Sequence, residues 1–153
     1  MAYVGVVGPS DASADEVADA VAVGLGLAER GHVVVCGGLG GVMEAVSRGA
    51  AEAGGVVVGL LPGPSRADAN PHVTVAIPTG LGELRNGLLV RSSEVVVSVG
   101  GSWGTLSEVA LAVRTGVPVV ALGGWRITDD DGPMPLDVSS AAEALAAVDG
   151  LLS

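Results

Sequence analysis

Two glycine-rich turns, two arginines and two glutamates carry the chemistry that this sequence offers. Gly100-Gly101-Ser102-Trp103-Gly104-Thr105 follows the apolar run Val95 to Val99 and opens a helical pattern. A strand that passes through glycines into a helix N-terminus presents free N–H groups at the positive end of the helix dipole, which suits an oxyanion. Gly101, Ser102, Trp103, Gly104 and Thr105 are therefore expected ligand contacts, with a hydroxyl supplied where the helix starts. Glu108 reads as a first-turn residue of that helix. A carboxylate there is either a surface group matched to the dipole or a catalytic group aimed at the ligand. The second turn, Gly37-Gly38-Leu39-Gly40-Gly41, leads into Met43 and Glu44, so Gly38, Gly40, Gly41, Met43 and Glu44 join the expected set. Gly8 and Ser10 join it from a third turn after the first strand. Arg85 and Arg91 lie six residues apart, and all seven basic residues are arginines. In so base-poor a chain each is either a phosphate or carboxylate partner or an ion pair with the abundant acids.

Other chemistries find no support. The glycines lack the GxGxxG spacing, and no acid ends the second strand to hold a ribose, so a standard NAD site is not expected. No GxxxxGK[ST] run marks a P-loop. His32 and His72 have no acids or cysteines at metal-ligand spacing, so no metal is expected. Cys36, the single cysteine, offers no disulfide framework. Ser10 and Ser102 lack the surroundings of a nucleophile elbow. Trp103 in a glycine turn either stacks on a planar ring or covers a subunit contact.

The elements that position these residues alternate along the chain. Strands are expected at Tyr3 to Val7, His32 to Cys36, Val56 to Leu61, Val73 to Ile77, Val95 to Val99 and Val117 to Leu122. Helices are expected over Ala12 to Arg30, Val42 to Ala53, Gly82 to Ser93, from Leu106 to Gly116, and from Ser139 or Ser140 through Ala147. Ser10 or Asp11 is read as the first helix cap. The stretch Gly123 to Leu136, with Asp129-Asp130-Asp131-Gly132, reads as a loop. Leu106, Val109, Ala110 and Val113 form the expected buried stripe of the fourth helix. Continuous apolar strands alternating with helices imply an α/β, doubly wound, mostly parallel sheet in a single domain over residues 1–153. All three glycine turns then open on one edge of the sheet, where ligands bind in such folds.

The 153 residues include 49% hydrophobic ones but only 2% aromatic, so the core must be valine, leucine and alanine. A net charge of −10 argues against nucleic acid as a partner. No apolar run reaches membrane-spanning length, and a cytoplasmic protein is expected.

Taken together, Gly37 to Glu44, Arg85 and Gly100 to Glu108 resemble the Lonely Guy (LOG) family and its relatives, once labelled lysine decarboxylase-like. The family hallmark reads PGGxGTxxE, with an arginine fifteen positions before the proline. Here the aligned stretch runs from Gly100 to Glu108, and Arg85 precedes Gly100 by fifteen. The resemblance covers about residues 3–124. It implies a Rossmann-like domain, usually a dimer or a higher homo-oligomer such as a tetramer. It further implies hydrolysis of the N-glycosidic bond of a purine nucleoside 5′-monophosphate such as AMP. Arg85 and Glu108 would be the catalytic pair, and the glycines and Thr105 the phosphate cradle. No cofactor is required in that reading. Gly100 stands where the motif has proline, Ser102 replaces its second glycine, and Gly-Val-Met-Glu and Leu-Arg-Asn replace the usual neighbours. These variants are similar to a sister group that includes the molybdenum-cofactor carrier of algae, which binds a pterin phosphate without hydrolysis. The ligand implied is thus AMP-like, a phosphate, or molybdopterin.

Overall fold

Short valine-rich runs, each closed by glycine, proline or a polar residue, make the strands. They are β1 (Tyr3–Val7), β2 (Val33–Cys36), β3 (Val57–Leu61), β4 (Val75–Pro78), β5 (Val95–Val99), β6 (Val119–Leu122) and β7 (Leu136–Val138). The computed structural model describes residues 1–128 and 135–153, so the Asp129 to Gly132 part of the expected loop lies outside the described residues. β7 corrects the reading of the stretch to Leu136 as loop. With only three residues, two of them exposed, it carries too little apolar pattern to be read as a strand.

The sheet order is β4-β3-β2-β1-β5-β6-β7, and every pairing is parallel. Such strands are covered on both faces, which explains their unbroken valine runs. Residues alternate between two cores. Val4, Val6, Val95, Val97 and Val99 face α1 (Ala14–Glu29), α2 (Val42–Glu52) and α5 (Ala141–Leu152). Val7, Val35, Val96 and Val119 face α3 (Arg85–Arg91) and α4 (Trp103–Arg114). Each valine fully withdrawn from water contributes about 1.5–3 kcal/mol, so a core without phenylalanine is sufficient. Glycines let α1 and α2 touch through their backbones. A Cβ on Gly24 would lie 2.1 Å from the Val46 carbonyl oxygen.

Three local readings are corrected. The α1 cap is Ser13, whose side chain accepts from the Glu16 amide while Glu16 reaches back to the Ser13 amide. That reciprocal pair leaves Ser10 and Asp11 outside the helix. α4 starts at Trp103, so Trp103 to Thr105 belong to its first turn and Glu108 to its second. The buried face of α4 is Thr105, Glu108, Val109 and Ala112 rather than the stripe through Leu106 and Ala110. A polar residue on the inner face hid that register.

Candidate functional site

The order of strands reverses beside β1. The chain lays β2, β3 and β4 to one side, then crosses back to place β5 on the other. The carboxyl ends of β1 and β5 flank the resulting crevice, the position where this class of fold holds ligands. Gly8 ends β1 there. A Cβ on Gly8 would sit 2.5 Å from the Val99 carbonyl oxygen and 2.6 Å from Val42 Cγ1. The first turn, the end of β5 and the start of α2 therefore meet at a point that only glycine permits.

The 37–41 turn lies against this point. Gly41 has φ +65°, and a Cβ on it would lie 2.4 Å from the carbonyl oxygens of Pro9 and Ser10. The Val42 amide donates to Pro9 at 3.1 Å. Gly41 is also the N-cap of α2, and no side chain caps that helix. The Pro9 carbonyl thus takes the first α2 amide, Glu44 places an acid in the first turn, and no side chain hydrogen-bonds the remaining amides at the positive end of the dipole. Gly38, with φ +77°, is held from behind. The Asn70 amide donates to its carbonyl at 2.8 Å, and the Asn70 side chain donates to the Leu39 carbonyl at 3.0 Å.

Arg85 begins α3 at the same edge of the sheet. Its Nε donates to the Leu60 carbonyl at 2.9 Å, and its Nη1 donates to Asn86 Oδ1. The guanidinium lies over Gly37, where a Cβ would be 2.6 Å from Nη2 and 2.6 Å from Met43 Sδ. Met43 is buried beneath the turn as packing. Arg85 thus spans the ends of β2 and β3 with its charge fixed over the second glycine turn.

Glu108 is only 8% exposed. Burial pushes its carboxyl up to about 7, with the nearby Arg85 charge offsetting part of the rise. The two groups therefore feel each other. No ion pair within 4.0 Å joins them among the described residues, where the pair formed is Arg30 with Asp149 at 3.1 Å. Arg85 also lowers the buried Cys36 thiol, whose pKa burial raises overall.

The 100–104 turn is built differently from the second one. Gly100 has φ +70°, and its amide donates to the Leu122 carbonyl at 3.0 Å. A Cβ on it would fall 1.6 Å from Glu16 Oε2. Proline fits none of these conditions, because its φ is fixed near −65° and it has no N–H. Ser102 caps α4: its Oγ accepts from the Thr105 amide at 3.2 Å and lies 2.9 Å from Thr105 Oγ1. Thr105 is buried, while Gly101, Trp103 and Gly104 are exposed.

The structure thus brings Gly8, Gly38, Gly41, Met43, Arg85, Glu108 and the 100–105 turn to one edge. Gly40 is half-buried in the second turn, and Ser10 contributes its carbonyl rather than its exposed side chain. One expected residue stands apart: Arg91 is exposed in the last turn of α3, roughly 9 Å along the helix axis from Arg85. Glu44 is exposed in the first turn of α2, in a hollow shared with Gly41, Val17 and Arg48. Sequence reading missed Asn70, Asn86, Glu16 and Trp125. For Asn70 the only signal was the Asn-Pro turn dipeptide, which says nothing of a contact to residues 38 and 39.

A model of the SLOG cluster4 family matches residues 1–147. An uncharacterised protein from Archaeoglobus fulgidus is 42% identical over 120 residues, 78% of each chain. The molybdenum cofactor binding protein from the phototrophic bacterium Rippkaea orientalis is 33% identical, with TM-score 0.93, over 100% of this chain and 98% of that one. The molybdenum cofactor carrier protein from Chlamydomonas reinhardtii is 36% identical, with TM-score 0.91, over 99% of each chain. Both matches extend over nearly the full length of each chain.

Proposed function

From the premise that this chain belongs to the SLOG cluster4 family, we propose that it binds and carries a phosphate-bearing ligand of the molybdopterin type. The observation that carries the reading is the second glycine turn: an α2 N-terminus with no side-chain cap, under a guanidinium held in place by Leu60 and Asn86. Gly8, Gly38 and Gly41 let the turns pack backbone to backbone, Gly40 is open on its Cβ side to a ligand, Arg85 supplies positive charge, and the α2 amides beyond Val42 supply donors. This donor set fits a phosphate carried on a larger group, since it needs no lysine and survives a net charge of −10. The exposed Gly101 and Gly104 would contact the same ligand from the other side of the crevice. The full-length likeness to two proteins named for binding or carrying molybdenum cofactor supports the choice of ligand.

A second reading is phosphoribohydrolase action on a purine monophosphate such as AMP. It is favoured by Arg85 lying close enough for its charge to lower the Glu108 carboxyl that burial raises. In that reaction positive charge grows on the ribose, and a Glu108 carboxylate would stabilise it or activate water. We place it second because burial favours the protonated Glu108 carboxyl, and no ion pair joins it to Arg85 among the described residues. Isothermal titration of the purified chain with molybdopterin and with AMP, alongside an assay for ribose 5-phosphate, separates the readings. Saturable molybdopterin binding without sugar phosphate release is expected, and release that vanishes in Glu108→Gln would reverse the order. The chain is also proposed to self-associate as a dimer or tetramer, with the exposed Leu81, Leu84 and Leu88 as the contact face.

A further inference from the structure

We infer that Trp103 and Trp125 together form the seat for the planar ring system of the bound ligand, separate from the residues that hold its phosphate. The inference rests on the carrier reading above and adds the residue pair that selects a fused heterocycle. These are the only two tryptophans of the chain, which has no phenylalanine. They come from different elements, Trp103 from the first turn of α4 and Trp125 from the segment after β6. The fold nevertheless brings their ring centroids to 4.7 Å with the planes inclined at 66°. Trp103 is 80% exposed and Trp125 43% exposed. Two large aromatic rings left in water forgo the burial that normally accounts for tryptophan in a small domain.

Their placement is fixed by the backbone beneath them. Gly124 has φ +86°, and a Cβ there would lie 2.4 Å from the Gly100 carbonyl oxygen. A Cβ on Gly101 would in turn lie 3.2 Å from Gly124 Cα and 3.3 Å from the Trp125 nitrogen. The β5 and β6 turns are therefore locked glycine to glycine, which fixes the two rings edge to face as a corner beside the Gly100–Gly101 backbone. The ring surface that this edge contact leaves exposed is where a flat heterocycle would stack. Stacking on aromatic faces accepts any fused planar ring, so a pterin or a purine satisfies the corner, whereas bare phosphate gains nothing from it.

The test uses the full chain and the variants W103A, W125A, W103F and W125F, titrated calorimetrically with molybdopterin, AMP and inorganic phosphate. Circular dichroism and sedimentation velocity check each variant's fold and assembly. Each alanine variant is expected to weaken molybdopterin and AMP about tenfold to a hundredfold and phosphate by less than about twofold, with phenylalanine restoring most of the loss. Quenching of the parent's tryptophan fluorescence by AMP is expected to halve or more in either phenylalanine variant. Ring-bearing ligands that bind the alanine variants as tightly as the parent would overturn the inference while leaving the carrier reading intact. So would variants that lose self-association but keep their ligand affinity, which would make the corner a subunit contact. Failure of the parent to bind any of the three ligands would overturn both.

Discussion

Ser102 Oγ lies 2.9 Å from Thr105 Oγ1 and 3.2 Å from the Thr105 amide. The hydroxyl that the LOG resemblance assigns to phosphate is thus engaged in closing the start of α4, whereas α2 has no side-chain cap. The two glycine turns look equivalent as sequence but differ in what their amides and hydroxyls are free to do. Ser102→Ala should cost about 1 kcal/mol in urea denaturation, as for other lost caps. It should leave ligand affinity nearly unchanged if the α2 turn carries the phosphate.

Gly100 should reject the proline of the LOG motif. Its positive φ, its bond to the Leu122 carbonyl and the adjacent Glu16 carboxylate all oppose that ring. Gly100→Pro is expected to cost about 3 kcal/mol or more. Gly100→Ala should cost about 1–2 kcal/mol for the left-handed backbone, and somewhat more because the displaced Glu16 gives up its bond to the Ser13 amide. Equal stability of the proline variant and the parent would contradict this account of the motif's change.

Glu108 makes the fold's stability depend on pH. Its carboxyl titrates near 4.5 when unfolded and about 7 when folded. The folded chain therefore holds the extra proton between those values. The stability associated with the neutral acid is fully present below about 4.5 and is lost as pH rises through about 7. Glu108→Gln should match the parent at pH 4 and exceed it at pH 8 by at most about 3 kcal/mol, read from paired denaturation curves. A gain that is the same at both pH values would rule out this titration.

Arg85 lowers the Glu108 carboxyl that burial raises. In Arg85→Ala the Glu108 midpoint should move further up, seen by carbon-detected NMR titration. The same change removes the bond to the Leu60 carbonyl and should weaken phosphate-bearing ligands at least tenfold. Arg91→Ala should change affinity by less than about twofold, since a single exposed charge contributes little at a distance.

The exposed Leu84, at 78%, and Leu88, at 43%, belong to the segment leading into and along α3. If this face joins copies of the chain, a Leu84→Asp, Leu88→Asp double variant should be monomeric by light scattering. The parent should then be a dimer or tetramer at the same micromolar concentration.

Much of the fold was legible because buried parallel strands leave continuous valine runs, and glycines punctuate them at Gly8, Gly37 and Gly100. β7 was not, since Leu136 to Val138 is short and half polar. The register of α4 was misread because its inner face carries Thr105 and Glu108, so apolar periodicity pointed one step away. Arg85 and Glu108 were visible through their spacing to Gly100 in the LOG-like motif, fifteen before it and eight after. Asn70, Glu16 and Trp125 were not, because their partners lie about thirty, eighty-four and twenty-two residues away and only folding sets those contacts. The α1 cap was legible in Ser13-x-x-Glu16, a capping-box pattern that neither Ser10 nor Asp11 offers.

Native mass spectrometry of the chain incubated with AMP and molybdopterin together separates carrying from hydrolysis. A stoichiometric adduct at the mass of intact molybdopterin is expected, absent in Arg85→Ala, with all AMP recovered uncleaved. Accumulation of free adenine and ribose 5-phosphate with no molybdopterin adduct would contradict the carrier reading.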